Sequence, residues 1–135
     1  LSALFRQILF RSHSFRSCGH RRYCQQPDGS FLNYVDKQLA FTTQNAEINL
    51  EDSNARAIYA LGYFISLRGK FPDVWTEDAT EIIEQTFDMI MKMKSPRSIA
   101  YIIKGLYHFE QAYPSKEVRE MTMHLADQLV HYYHQ

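Results

Sequence analysis

The feature that most constrains this chain is an internal repeat. A shift of 42 residues lays Ser53 on Ser95, Tyr59 on Tyr101, Leu61 on Ile103, Phe71 on Tyr113 and Pro72 on Pro114. Both copies carry apolar residues at helical spacing, and a period near ~40 residues is what stacked helix pairs produce. The first copy opens with a helix predicted over 53–68, where Ala57, Ile58, Leu61, Phe64 and Ile65 share one side and Tyr59 and Tyr63 face another. Such a helix is apolar nearly all round and should be buried. Gly69 and Pro72 stop it. A second helix, predicted over 76–94, sets Ile82, Ile83, Phe87 and Ile90 against Glu77, Asp78, Glu81, Glu84 and Asp88. Its acidic first turn suits the positive end of the helix dipole.

The second copy repeats this order. Ser95 is a cap residue and Pro96 occupies the first helical position. Ile99, Ala100, Ile102, Ile103, Leu106, Tyr107 and Phe109 make the third helix apolar on most sides, and Val118, Met121, Leu125 and Leu129 make the fourth, over 115–133, amphipathic. The alternation predicts an all-α fold of two stacked αα-hairpins. One hairpin cannot bury its apolar face alone, and two do so only in part. The chain is therefore expected to be a piece of a larger helical array, with a sticky edge.

Ahead of the helices the pattern is different. Pro27-Asp28-Gly29-Ser30 is a turn signal. Phe31, Tyr34, Val35, Leu39 and Phe41 follow without a sustained period, which predicts an irregular segment or a short β-hairpin, then an ordered loop over 44–52. Residues 1–26 differ again, with five arginines and no acid, while the remainder holds ten basic and fifteen acidic side chains. The zero net charge thus joins two unlike parts, expected as a basic extension over 1–26 and one helical domain over 27–135. The extension fits a mitochondrial transit peptide, a basic arm for an anionic partner, or a segment with no native structure of its own.

Composition removes several classes of function. With 45% apolar and 14% aromatic residues the chain is too hydrophobic to be disordered. No stretch reaches the ~18 apolar residues of a membrane span, two cysteines make no disulfide scaffold, and no secretory signal is evident. A soluble protein of the cytoplasm is expected. Cys18, His20 and Cys24 supply only three metal ligands at an unusual spacing, and His124, His131 and His134 lie near the end of the last helix; neither set predicts a metal site. Nothing calls for a cofactor. Aromatics interleave the basic stretch, but the acidic body argues against nucleic acid as the main partner.

Chemistry concentrates at the mouth of the first helix, where Glu47, Asn49, Glu51, Asp52, Asn54 and Arg56 fall within ten residues. Carboxylates and amides hydrogen-bond sugar hydroxyls, and Tyr34, Tyr59 and Tyr63 offer apolar ring faces. Glu47 and Asp52 are the better-spaced pair for acid–base work on a glycosidic bond, since the neighbours Glu51 and Asp52 rarely straddle one bond. The competing explanation is structural. Asp52 or Ser53 caps the helix, Glu51 suits its positive end, and Arg56 pairs with a carboxylate.

The run from Asp28 to Asp36, then Asn49-Leu50-Glu51-Asp52-Ser53-Asn54-Ala55-Arg56-Ala57-Ile58-Tyr59-Ala60-Leu61-Gly62, and later Ser95-Pro96-Arg97-Ser98, resembles a known pattern. It is similar to the helical domain that follows the sugar-transfer domain in a group of bacterial glycosyltransferase-like proteins, with Tyr59 where that family usually carries Trp. The resemblance spans about Asp28 to His131. It implies a partial (α/α) toroid, the ring of inner and outer helices shared with six-hairpin glycosidases, and a carbohydrate or glycan partner. By that reading Glu47, Asn49, Glu51, Asp52, Asn54, Arg56 and Tyr59 bind sugar, and the rest of a longer chain completes the ring. The alternatives are a HEAT-like helical module that binds protein, or part of a glycoside-processing enzyme whose second carboxylate lies elsewhere.

Overall fold

The computed structural model describes residues 24–134, and among them the chain is all-α, with six helices and no sheet. Two are single turns, α1 (Gln44–Glu47) and α4 (Phe87–Ile90). The other four are α2 (Glu51–Ser66), α3 (Asp73–Glu84), α5 (Pro96–Ala112) and α6 (Lys116–Tyr133). α2 packs against both α3 and α5, and α5 packs against α6, so α2 and α5 form the central pair. Among the described residues no helix is long and apolar enough to cross a membrane.

The core follows the predicted alternation. Ile58, Leu61 and Ile65 of α2 and Ile99, Ile102 and Leu106 of α5 lose all contact with solvent, joined by Ile83, Ile90 and Leu125. Each such side chain contributes roughly 1.5–3 kcal/mol relative to exposure. Between α2 and α5 the approach is close enough to leave no room for a side chain. A Cβ on Gly62 would strike the Gly105 carbonyl oxygen, and one on Gly105 would lie 2.8 Å from the Ile58 carbonyl oxygen. The two glycines therefore set the distance between the central helices.

Helix starts show where local chemistry agrees with periodicity and where it overrides it. α5 begins as expected, with the Ser95 hydroxyl accepting from the Ser98 N–H at 3.4 Å and Pro96 at the first helical position. α6 begins likewise at Ser115, which accepts from the Val118 N–H. α2 begins earlier than its hydrophobic pattern, because Asn49 Oδ1 accepts from the Glu51 N–H at 2.9 Å in an Asx turn. Asp52 and Ser53 consequently sit inside the first turn and do not cap it; Ser53 Oγ instead donates to the Leu50 carbonyl.

The helix predicted over 76–94 is two helices. It starts at Asp73, directly after Pro72, and breaks at Gln85 and Thr86 between α3 and α4. The Thr86 hydroxyl donates back to the Ile83 carbonyl at 2.6 Å, a local bond that competes with helical continuation. Gly29, with φ +85, presses against the Gln85 carbonyl from outside.

The segment ahead of α2 forms no strand. It has two isolated antiparallel bridges, Gln25 with Phe31 and Val35 with Phe41. Two asparagine side chains, Asn45 and Asn54, stand in for the missing ladder, Asn54 bonding the Phe31 peptide N–H and carbonyl. Asn45 accepts from the Asn33 and Tyr34 N–H groups and donates to the Tyr34 and Thr42 carbonyls. Residues 24–26, which the charge pattern groups with the basic extension, belong to the folded body. Cys24 is buried, and Gln25 Nε2 donates to the Ile82 carbonyl at 2.9 Å. The five arginines of the extension, with Cys18 and His20, lie outside the described residues.

Candidate functional site

The polar cluster at the start of α2 is a clasp on the backbone. Asn54 is 3% exposed; its Oδ1 accepts from the Phe31 N–H at 2.6 Å, and its Nδ2 donates to the Phe31 and Leu50 carbonyls. Both amide hydrogens and the amide oxygen are thus engaged. Glu51 Oε1 accepts from the Lys94 and Ser95 N–H groups at 2.5 and 2.7 Å. A carboxylate is thereby held at the N-terminus of α5, where unpaired N–H groups and the helix dipole favour negative charge. Asn49 is engaged with the Glu51 N–H. Of the seven predicted sugar-binding residues, Asn54 thus spends all its polar atoms on the fold, while Glu51 and Asn49 each commit one oxygen to it.

The other four remain accessible in different ways. Glu47 is exposed on α1, and Tyr59 is half-buried. Asp52 pairs with Arg56 at 3.0 Å and lies 3.9 Å from Arg97 on α5. With Arg56 and Tyr59, it opens a row of side chains that the structure extends well beyond the predicted cluster.

That row runs along both central helices with one spacing. Asp52, Arg56, Tyr59 and Tyr63 on α2, and Arg97, Tyr101, Lys104 and His108 on α5, each step by four, three and four residues. Such steps keep side chains on one face of a helix. The two faces meet. The rings of Tyr59 and Tyr101 lie 6.1 Å apart, and His108 stacks on Tyr59 at 5.9 Å. Tyr63 and Tyr107 meet His108 edge-on at 5.2 and 5.7 Å. The Arg56 guanidinium sits 5.3 Å from the Tyr101 ring centre, and Lys104 Nζ lies 6.0 Å from both Tyr59 and Tyr101.

The expectation that α2 and α5 are buried on nearly all sides fails on this face. Tyr63 is 50% exposed and Tyr107 58%. Tyr59, Tyr101 and His108 are half-buried beside them, and a tyrosine hydroxyl tolerates water where Phe64 or Ile102 would not. Arg97 enters the sequence reading only through the family resemblance and Tyr101 only through the repeat, while Lys104 and His108 do not enter it. The shared four-three-four spacing was the signal that could have found them.

Electrostatics set the face apart. It gathers Arg56, Arg97 and Lys104 around the single carboxylate Asp52, whereas α3 carries Asp73, Glu77, Asp78, Glu81 and Glu84. A shallow cleft of about 310 Å³ at the opposite end of α2 is lined by Arg68, Asp73, Thr76, Glu77 and Tyr113, with Arg68 stacked over Tyr113 at 4.7 Å. Among the described residues no group of three His, Cys, Asp or Glu side chains is arranged to hold a metal ion; His124 contacts Gln128 instead. Comparison with protein-family models, with curated proteins and with solved structures found no match for the chain.

Proposed function

We propose that this chain contributes a saccharide-binding surface to a larger helical domain, the partial (α/α) toroid of a carbohydrate-active, glycosyltransferase-associated protein. The observation that supports this reading is the partly exposed aromatic row Tyr59, Tyr63, Tyr101 and His108 along the central helix pair. Sugar rings present an apolar face and a hydroxyl rim. Tyrosine faces complement the first, and charged or amide side chains at the edge complement the second. Rings that already rest on one another are preorganised, so little side-chain freedom is lost when a ligand docks.

The role is binding. Asp52 is engaged with arginine, and the row contains no nucleophile paired with a base. Asp52, Arg56 and Tyr59 keep their proposed contacts with sugar. Asn49, Glu51 and Asn54 act one step back, holding α2 against α5 so that the row stays in register. Titration of the amide spectrum with mono- and oligosaccharides tests the proposal. Shifts centred on Arg56, Tyr59, Tyr63 and Tyr101 support it, and a dispersed spectrum that ignores every sugar rejects it.

A second reading, a HEAT-like module that binds protein, draws on α6. Met123 and Val130 project from one side of that helix at 65% and 56% exposure. Spaced seven residues apart, they share a face. Self-association or partner capture abolished by Met123→Ser with Val130→Ser, and indifferent to Tyr63→Ala, would favour it.

A further inference from the structure

We infer that the ligand of the aromatic row is a short acidic saccharide, its carboxylate held by Lys104 with Arg56 and Arg97 while a sugar ring lies on Tyr63 beside His108. The inference rests on the saccharide reading above and adds the charge of the ligand to it.

Three cations share one acid on this face. Asp52 is divided between Arg56 at 3.0 Å and Arg97 at 3.9 Å, and all three side chains are substantially exposed. Lys104 has no carboxylate within ion-pair distance among the described residues, and its ammonium lies beside the ring pair, 6.0 Å from the centres of both Tyr59 and Tyr101. A cation at the middle of a stacking surface is placed to meet a charge on the ligand that stacks. A neutral sugar would use the rings and leave this surplus unanswered, whereas a uronate uses both.

Size and field separate a short acid from a long polyanion. The row on α2 runs from Asp52 to Tyr63, twelve residues or about 16 Å of helix, which accommodates a short oligosaccharide. Beyond it the folded body is acidic, with fifteen carboxylates against ten cations from residue 27 onward. A polymer of phosphates would extend past the ~8 Å screening length into that field and be repelled. A ligand confined to the row feels mainly Arg56, Arg97 and Lys104.

The test uses the full chain and trisaccharides of galacturonate, glucuronate and mannuronate, each beside its methyl ester. Esterification removes the charge and keeps the ring. Affinities from amide shifts should favour at least one acid over its ester by about tenfold at low salt, the upper range for a few exposed ion pairs. The gap should close in 0.5 M sodium chloride, where the screening length is ~4 Å. Lys104→Gln should weaken the acid about threefold to fivefold and leave the ester unchanged, while Tyr63→Ala weakens both. Equal affinity for acid and ester overturns the inference and leaves the saccharide reading standing. Failure of every sugar to shift the row overturns both. Tighter binding of a thymidine decamer than of any uronate, read from the amide shifts of the row itself and not from residues 1–26, also overturns the inference and moves the face to nucleic acid.

Discussion

At the start of α2, two interleaved sets of polar side chains behave in opposite ways. At Asn49, Glu51 and Asn54 the hydrogen bonds run to backbone, to the Glu51 N–H, to the Lys94 and Ser95 N–H groups, and to both peptide groups of Phe31. From Asp52 through Arg56 and Tyr59 to Tyr63 the contacts run to other side chains, at ring separations of 5–6 Å, and end in solvent. A side chain that completes buried peptide groups, as Asn54 does for Phe31, cannot turn to a ligand without leaving them unsatisfied. One that rests on a neighbouring ring can. The first set is part of the fold, and the second is available for recognition.

The strongest way to break this contrast is to disturb what both sets depend on. Gly62→Ala places a methyl group against the Gly105 carbonyl, where only a shift of the helices gives room. The expected loss is about 3 kcal/mol, at the upper end of overpacking effects, seen as a large fall in the thermal midpoint. Ligand-induced shifts should weaken with it, since the two halves of the row lose register. Asn54→Ala comes next, at about 2–3 kcal/mol, because it strands the Phe31 N–H and carbonyl in the interior. Below its melting temperature this variant should still respond to saccharide at Tyr63. An Asn54→Ala protein of unchanged stability that no longer binds would reverse the assignment of the two sets.

Much of this was legible from periodicity. The repeat, the alternation of central and outer helices, the Ser95-Pro96 start of α5 and the Ser115 start of α6 follow from residue order alone. Density of polar residues also points to the start of α2. It did not say which atoms were already engaged, because the partners of Asn54 and Glu51 lie 23 and 43 residues away. The break between α3 and α4 was hidden for a related reason. Ile82, Ile83, Phe87 and Ile90 keep helical spacing across it, and the Gly29 contact that accompanies it comes from another segment. Periodicity makes α2 and α5 apolar on most sides and so buries their tyrosines, although Tyr59 and Tyr63 also offer ring faces to a sugar; only the packing shows Tyr63 and Tyr107 exposed.

Two smaller substitutions sharpen the contrast within adjacent residues. Glu51→Gln keeps an acceptor at the α5 N-terminus but loses its charge, and should lower stability by about 1 kcal/mol. Asp52→Asn loses exposed ion pairs only, and should stay within about 0.5 kcal/mol of the parent while shifting the balance of charge on the row. Chemical denaturation gives both numbers. A larger effect at Asp52 than at Glu51 would mean that Asp52 is the structural carboxylate.

The smallest effect belongs to Asp28, a carboxylate engaged locally in the turn that carries Gly29. Its Oδ1 accepts from the Ser30 hydroxyl at 2.6 Å and from the Ser30 N–H at 2.9 Å, and these bonds hold its pKa below the ordinary carboxylate value. A lowered folded-state pKa stabilises the fold wherever the unfolded carboxyl is ionised, above roughly pH 3.9, and that contribution disappears as the pH falls through the folded-state value. Asp28→Asn should therefore be slightly less stable than the parent at pH 7, by well under 1 kcal/mol because the group is exposed, and the difference should shrink on acidification to pH 3. Urea midpoints of the two proteins at pH 7, 5 and 3 measure it. A difference that grows towards pH 3 would mean that the turn is held by something other than the ionised carboxylate, leaving Gly29 to hold the loop against Gln85 by backbone shape alone.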